Sequence, residues 1–269
     1  MLTCGVDIGS VNVKAAFLKD GCVVDTCIRA SGRNPHTEAD VLIETIADRN
    51  ALSTKDIGRV IFTGSGCVDH GSVERSMTEA GSAALGAVFL FPSARTVIDI
   101  GAEKALVARC DMAGTVINSA FSDGCAAFGG LFLEEMAKLM DVGVKELGSI
   151  SRSGSPAAVI ASQCTLLAKD EVLAMMMSGV ALPDVARSVH DSLAGRIASL
   201  VDRVGIEKDV ILTGGSAVNE GLADSLDRIL KNDVMVPEKA QFASAIGAAA
   251  AAVRWHRCES GNGEMEENG

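Results

Sequence analysis

The chain is nearly without aromatic surface. Among 269 residues there is no Tyr and a single Trp, and aromatics make up 3%. Proteins that bind single-stranded nucleic acid stack bases on exposed rings, so this composition excludes that class. Positive charge is also short. Lys and Arg total 24 against 35 Asp and Glu, a net charge of −11, which opposes binding to a phosphate backbone. Long apolar runs are missing too: the stretch Ala243 to Val253 is too short and too Ala-rich to span a membrane. No basic, apolar leader opens the chain at Met1-Leu2-Thr3-Cys4, so a cytoplasmic protein is expected, with no membrane and no nucleic acid among its partners. Eight cysteines are present, yet none forms a CxxC pair, which excludes a zinc ribbon. In a reducing compartment they do not make a disulfide framework, and most are expected to be small buried hydrophobes. Neither a dinucleotide GxGxxG nor a GxxxxGK[ST] loop occurs in a supporting context.

What is present suits an α/β protein. Hydrophobic residues reach 48%, mean hydropathy is +0.28 and there are 28 glycines, enough for a large core with many tight strand-to-helix turns. Strands are expected at Leu2–Ile8, Val11–Leu18 and Cys22–Ala30, with Asp20-Gly21 as a hairpin signal. A helix over 38–49 follows, since Leu42, Ile43, Ile46 and Ala47 recur at helical spacing; then a strand over 59–63. The order restarts with strands at Thr96–Ile100, 104–110 and 115–119, helices over 131–140, 164–177 and 184–204, a strand at Val210–Thr213 and a last helix over 243–253. Each half opens on strand-Asp-Ile-Gly-strand, a coarse internal repeat, with the boundary near Phe91-Pro92-Ser93. The expected domains are 1–92, 93–256 with the last helix able to pack back on the first lobe, and an acidic, disordered tail at 257–269.

Three motifs carry phosphate chemistry. In Gly5-Val6-Asp7-Ile8-Gly9-Ser10-Val11-Asn12-Val13-Lys14 an Asp leaves an apolar strand and the chain doubles back. Turn amides and the Ser10 hydroxyl can donate to phosphate, Lys14 can add a point charge, and Asp7 can hold hydrated Mg²⁺. By itself the segment reads equally as a plain hairpin. Val97-Ile98-Asp99-Ile100-Gly101-Ala102-Glu103-Lys104 repeats the logic. Leu212-Thr213-Gly214-Gly215-Ser216-Ala217-Val218-Asn219 ends a strand in a glycine pair that can lie against a nucleoside, before a helix whose N-terminus suits phosphate. Two cysteines, Cys125 and Cys164, precede helical stretches, where amides and the helix dipole favour thiolate. His190 reads as a structural histidine, Glu134 and Glu135 as solvated.

In this order the three motifs resemble the phosphate and adenosine motifs of the superfamily holding actin, the heat-shock chaperone ATPases and the sugar kinases. With Thr63-Gly64, Cys125-Ala126-Ala127, Cys164, Arg203-Val204-Gly205-Ile206 and Ile246-Gly247-Ala248-Ala249 added, the chain resembles the ATP-dependent activators of 2-hydroxyacyl-CoA dehydratases and the ATPase subunits of benzoyl-CoA reductase. That resemblance, running from about residue 3 to 253, implies an actin-like, ribonuclease H-like duplicated α/β fold with an ATP cleft between two lobes. It implies one [4Fe-4S] cluster shared by two chains, each giving two thiolates, here Cys125 and Cys164. It further implies Mg²⁺ at Asp7 and Asp99, phosphates on Gly9, Ser10, Asn12, Lys14 and Gly101, and the nucleoside near Gly214, Gly215, Ser216 and Asn219. Partners would be a second copy or a paralogous ATPase subunit, a ferredoxin or flavodoxin type donor, and a CoA-thioester dehydratase or reductase that takes a low-potential electron in anaerobic metabolism. The chain departs from the family pattern at Gly101-Ala102-Glu103-Lys104, where Gly-Gly-Gln-Asp is common and Glu103 would replace the water-positioning Gln. It departs again at Phe128 in the turn after Cys125, and at Lys169 where Glu is usual. A small-molecule kinase with Glu103 as general base, or an ATPase-silent partner subunit, are the rival expectations.

Overall fold

A computed structural model of the protein describes residues 1–69, 76–122, 126–155, 158–162 and 164–259. The chain divides into two compact units, Met1–Phe89 with Phe242–Gly269, and Leu90–Gln241. The division thus falls at Phe89/Leu90, and the last helix belongs to the first unit.

The first unit is built on strands β1 (Leu2–Ile8), β2 (Asn12–Lys19), β3 (Cys22–Ala30) and β4 (Ile57–Thr63), in the sheet order β3-β2-β1-β4. β1 pairs antiparallel with β2 and parallel with β4. Short apolar runs closed by turn residues make these strands, and β1 and β2 are buried along nearly their whole length. Helix α1 (Pro35–Arg49) begins with Pro inside its first turn, and Asn34 caps it by accepting the Thr37 amide; both are ordinary start signals. Its Leu42 and Ile46 join Val6, Ile8, Val13 and Phe17 in one core. Helices α2 (Glu79–Leu90) and α8 (Ala243–Glu259) complete the unit. Ala248 and Ala252 of α8 pack on Ile61 of β4, the small side chains allowing close helix-to-sheet approach. α8 runs past Val253 to Glu259; residues 260–269, most of the expected tail, lie outside the described residues.

The second unit repeats the plan. Strands β5 (Thr96–Ile100), β6 (Ala105–Cys110), β7 (Val116–Phe121), β8 (Val210–Thr213) and β9 (Val234–Met235) lie in the order β7-β6-β5-β8-β9. β5 pairs antiparallel with β6 and parallel with β8, as β1 does with β2 and β4. Helices α3 (Gly130–Leu139), α4 (Val144–Ser151), α5 (Thr165–Met177), α6 (Leu182–Val204) and α7 (Glu220–Leu230) surround it. α6 is its central helix: Val185, Val189, Leu193, Ile197 and Val201 are fully buried at helical spacing, each worth roughly 1.5–3 kcal/mol of apolar transfer. No described helix is long and apolar enough to cross a membrane.

Candidate active site

The two Asp-Ile-Gly loops are built alike. In the first unit the Gly9 amide donates to the Asn12 carbonyl at 3.1 Å, and the Ser31 hydroxyl donates to the Gly9 carbonyl at 2.7 Å. In the second, the Gly101 amide donates to the Lys104 carbonyl at 3.0 Å, and the Ser216 hydroxyl donates to the Gly101 carbonyl at 3.1 Å. Parallel pairing places Thr63 opposite Asp7 and Thr213 opposite Asp99. Each Thr is followed by a glycine at positive φ, +94° at Gly64 and +89° at Gly214. A Cβ there would meet the Ile8 or the Ile100 carbonyl oxygen at 2.5 Å. The duplication therefore extends beyond Asp-Ile-Gly to Thr-Gly on the neighbouring strand, a match of letters whose meaning needed the pairing to become visible.

The two carboxylates are held differently. Asp7 forms a largely buried ion pair with Lys14 on β2, Nζ to Oδ2 3.4 Å. Asp99 accepts the Thr213 hydroxyl at 2.8 Å, whereas Thr63 is turned toward Ser82, 2.8 Å away. Ser10 and Glu103 are exposed at the loop tips. Lys104 matches Asn12 in the loop geometry rather than Lys14, and its ammonium lies 5.9 Å from the centroid of the Phe121 ring on β7.

The third motif departs from a simple strand-to-helix turn. A 3₁₀ turn, Gly215–Val218, intervenes, and α7 starts only at Glu220. Asn219, expected to approach a nucleoside, is buried and caps α7: its Oδ1 accepts the Leu222 amide at 3.1 Å and its Nδ2 donates to the Val144 carbonyl at 3.2 Å. The His190 ring lies between the Ala186 carbonyl (2.8 Å) and Asn219 Oδ1 (3.0 Å), and burial pushes its pKa down. That is the structural role expected of it. Beside the turn is a cavity of about 480 Å³ lined by Ala217, Val218, Glu220, Val236, Pro237 and Glu238 among others, within the usual size of a small-molecule site. Arg152 also lines it and pairs with Glu220 at 2.8 Å, so its wall carries a cation as well as carboxylates.

Of the two candidate cluster ligands, Cys125 lies outside the described residues. Cys164 is exposed and is the N-cap of α5, with no hydrogen bond from its side chain to the helix amides. An exposed thiol at a helix start fits an iron–sulfur ligand. The start of α3 differs from expectation. A 3₁₀ turn over Ala126–Phe128 precedes it, and its first amides are already used: Gly130 donates to the Gly101 carbonyl and Leu131 to the Ala102 carbonyl, both at 2.9 Å. Helix α3 is thereby stitched to the second Asp-Ile-Gly loop. Phe128 packs half-buried against the core of its unit. Lys169 pairs with Glu135 on α3, which also pairs with Lys138 at 2.9 Å. Hydrogen bonds from Lys169 and Lys138 pull the Glu135 carboxyl down to about 2. Glu135 is therefore not merely solvated; it ties α3 to α5. Among the described residues no three His, Cys, Asp or Glu side chains gather to hold a metal.

Two sheets of matching topology, each carrying an Asp-Ile-Gly loop braced by Thr-Gly, define a mixed α/β fold of the actin-like kind. Over residues 4–252 the chain matches the BadF/BadG/BcrA/BcrD ATPase family, and it belongs to that family. It is 34% identical over 249 residues to the 2-hydroxyisocaproyl-CoA dehydratase activator of Clostridioides difficile, covering 93% of this chain and 94% of that protein. It is 33% identical over 262 residues to one of the benzoyl-CoA reductase subunits of Thauera aromatica, covering 92% of each. The solved structure of the activator of the 2-hydroxyisocaproyl-CoA dehydratase from Clostridium difficile with bound ADPNP superposes with a TM-score of 0.89 at 33% identity, over 100% of both chains.

Proposed function

We propose that the protein is an ATP-driven electron donor that serves a CoA-thioester dehydratase or reductase through a [4Fe-4S] cluster shared by two chains. Asp7 and Asp99 hold hydrated Mg²⁺, the amides and hydroxyls of the two loops receive phosphates, and Glu103 orients the attacking water. Gly214 and Gly215, with the cavity lined by Ala217 and Val218 further along the same turn, take the nucleoside. Cys164 and Cys125 give two thiolates, and the second chain gives two more. When bound, the cluster supplies one-electron transfer at low potential, with the electron drawn from a ferredoxin or flavodoxin type donor.

The observation that carries this reading is the stitch between α3 and the second loop. Gly130 and Leu131 follow closely on Cys125 and hydrogen-bond the carbonyls of Gly101 and Ala102. A change of loop position on nucleotide binding is therefore passed straight to the segment that leaves the first cysteine. The second chain has support as well. Leu166, Leu173 and Met177 of α5 share one helix stripe and are exposed, Met177 at 80%, with Leu167 and Val159 exposed nearby. Apolar surface this concentrated supports a contact with a second chain, and it lies on the helix that Cys164 opens.

Anaerobic purification tests the proposal. A brown protein with about two irons per chain, lost in Cys125→Ala and in Cys164→Ala, is the expected result. A colourless protein that phosphorylates a sugar would overturn it in favour of a kinase.

A further inference from the structure

Resting on the shared-cluster reading above, we propose that Arg196 is a positioning residue that ties together the two chain segments carrying the candidate iron ligands. Arg196 sits mid-way along α6, on its buried side, only 8% exposed. One guanidinium nitrogen donates to the Ala127 carbonyl at 2.6 Å; the other donates to the Ser162 carbonyl at 2.9 Å and to Ser192 Oγ at 3.0 Å. The group stacks 4.5 Å from the centroid of the Phe132 ring of α3. Ala127 follows Cys125 by two residues, and Ser162 precedes Cys164 by two. One buried cation thus holds two carbonyls, each two residues along the chain from a candidate ligand.

The second tether is anchored from its other side as well. Glu171 of α5 accepts the Ala161 amide at 2.8 Å and the Ser162 amide at 2.9 Å. Hydrogen bonding by Ser162 and the Ala161 amide, with the Arg196 charge adding, holds the Glu171 carboxyl below its ordinary value. Ser162 is therefore gripped at both its amide and its carbonyl. A buried charge is a weak device for stability, since an apolar residue of similar size often packs as well or better. What it does supply is geometry: the planar fork reaches two acceptors in fixed directions, which an ammonium cannot do. Groups that orient metal ligands from behind typically change metal affinity about 10–100-fold when removed.

The test uses the full chain with Arg196→Lys, which keeps charge and stem, and Arg196→Met, which keeps the stem alone. Arg187→Lys is the control: it lies on the same helix but donates to the Gly154 carbonyl and Asp191. Amide hydrogen exchange is measured on the iron-free protein; iron release to a chelator and the electron paramagnetic resonance spectrum are measured on the anaerobically loaded protein. ADP affinity and the thermal midpoint report nucleotide binding and folding. In Arg196→Lys we expect exchange about ten-fold faster or more in both 126–128 and 161–165, the loss of one charge-assisted hydrogen bond. We also expect iron release about 10–100-fold faster, an altered spectrum, and ADP affinity unchanged. If Arg196→Met does not fold, Arg196→Lys decides. Faster exchange in neither segment, or in only one, overturns the tie. Faster exchange in both with iron release and spectrum unchanged overturns the positioning role. A wild-type protein that takes up no iron overturns the shared-cluster reading itself, and that result is read on the unmutated chain, apart from either variant.

Discussion

Replacing Gly214 and Gly215 one at a time separates two roles that the sequence runs together. Gly214 sits at φ +89° and ψ 177°, a region that only glycine occupies comfortably; a side chain there costs about 1–3 kcal/mol. Its Cβ would meet three backbone atoms of Ile100, the oxygen at 2.5 Å, the nitrogen at 2.7 Å and the carbon at 2.8 Å. Backbone on β5 can yield only by moving Asp99 and Gly101, and overpacking of this kind costs a further 1–3 kcal/mol or so. Gly214→Ala should therefore destabilise the second unit by about 2–6 kcal/mol, a fall in melting temperature of roughly 4–24 °C for a unit this size. Gly215 has no atom within 4 Å of its own would-be Cβ, so Gly215→Ala should leave stability within about 1 kcal/mol. The added methyl would still stand on the surface assigned to the nucleoside, and affinity for an ATP analogue should fall about ten-fold, the effect of roughly 1.4 kcal/mol. Calorimetry and analogue titration on both variants make the comparison. An unshifted melt in Gly214→Ala would refute the close-approach argument. Unchanged analogue affinity in Gly215→Ala would refute the nucleoside assignment.

Two pH effects follow from the same unit. Glu135 titrates near 2 because Lys169 and Lys138 bond its charged form, so its link between α3 and α5 is present above the ordinary carboxyl value of about 4.3 and is lost as pH falls toward 2. Carbon-13 titration of the Glu135 carboxyl should read that low value, and Lys169→Gln should raise it; an identical curve in the variant would contradict the tie. His190 is buried and its pKa is lowered by desolvation. It contributes stability above the ordinary imidazole value of about 6.5 that is lost as pH falls through its folded value. The urea midpoint should therefore drop between pH 7.5 and 5.5, and the drop should be smaller in His190→Gln; equal drops would remove His190 as the cause.

How far the structure was legible depended on local signals. The strands β1, β3, β5 and β8 fall where short apolar runs are cut off by glycine or turn residues, and their expected limits match. Helix α2 gives no periodic signal because Ala80, Ser82, Ala83, Ala84, Leu85, Gly86, Ala87 and Val88 are all buried; a helix covered on every side has no apolar stripe to detect. Helix α4 has only eight residues, too few for a period. The helix after the glycine pair was expected, but its start at Glu220 depended on Asn219 spending its amide as a cap. The two Asp-Ile-Gly loops announce themselves because the same letters recur at fixed offsets in each unit. Arg196 and Glu135 do not, since the partners that matter, Ala127 and Ser162 for one and Lys169 for the other, are tens of residues away, and each reads as one more charge on a helix.

The central claim is that one chain holds only half the ligands of its cluster. Native mass spectrometry of the anaerobically purified protein tests it directly. The expected species is a dimer carrying one [4Fe-4S] cluster, which falls apart into iron-free monomers when Cys164 is replaced by Ala. A monomer that keeps a whole cluster, or a dimer that forms with no iron bound at all, would contradict it.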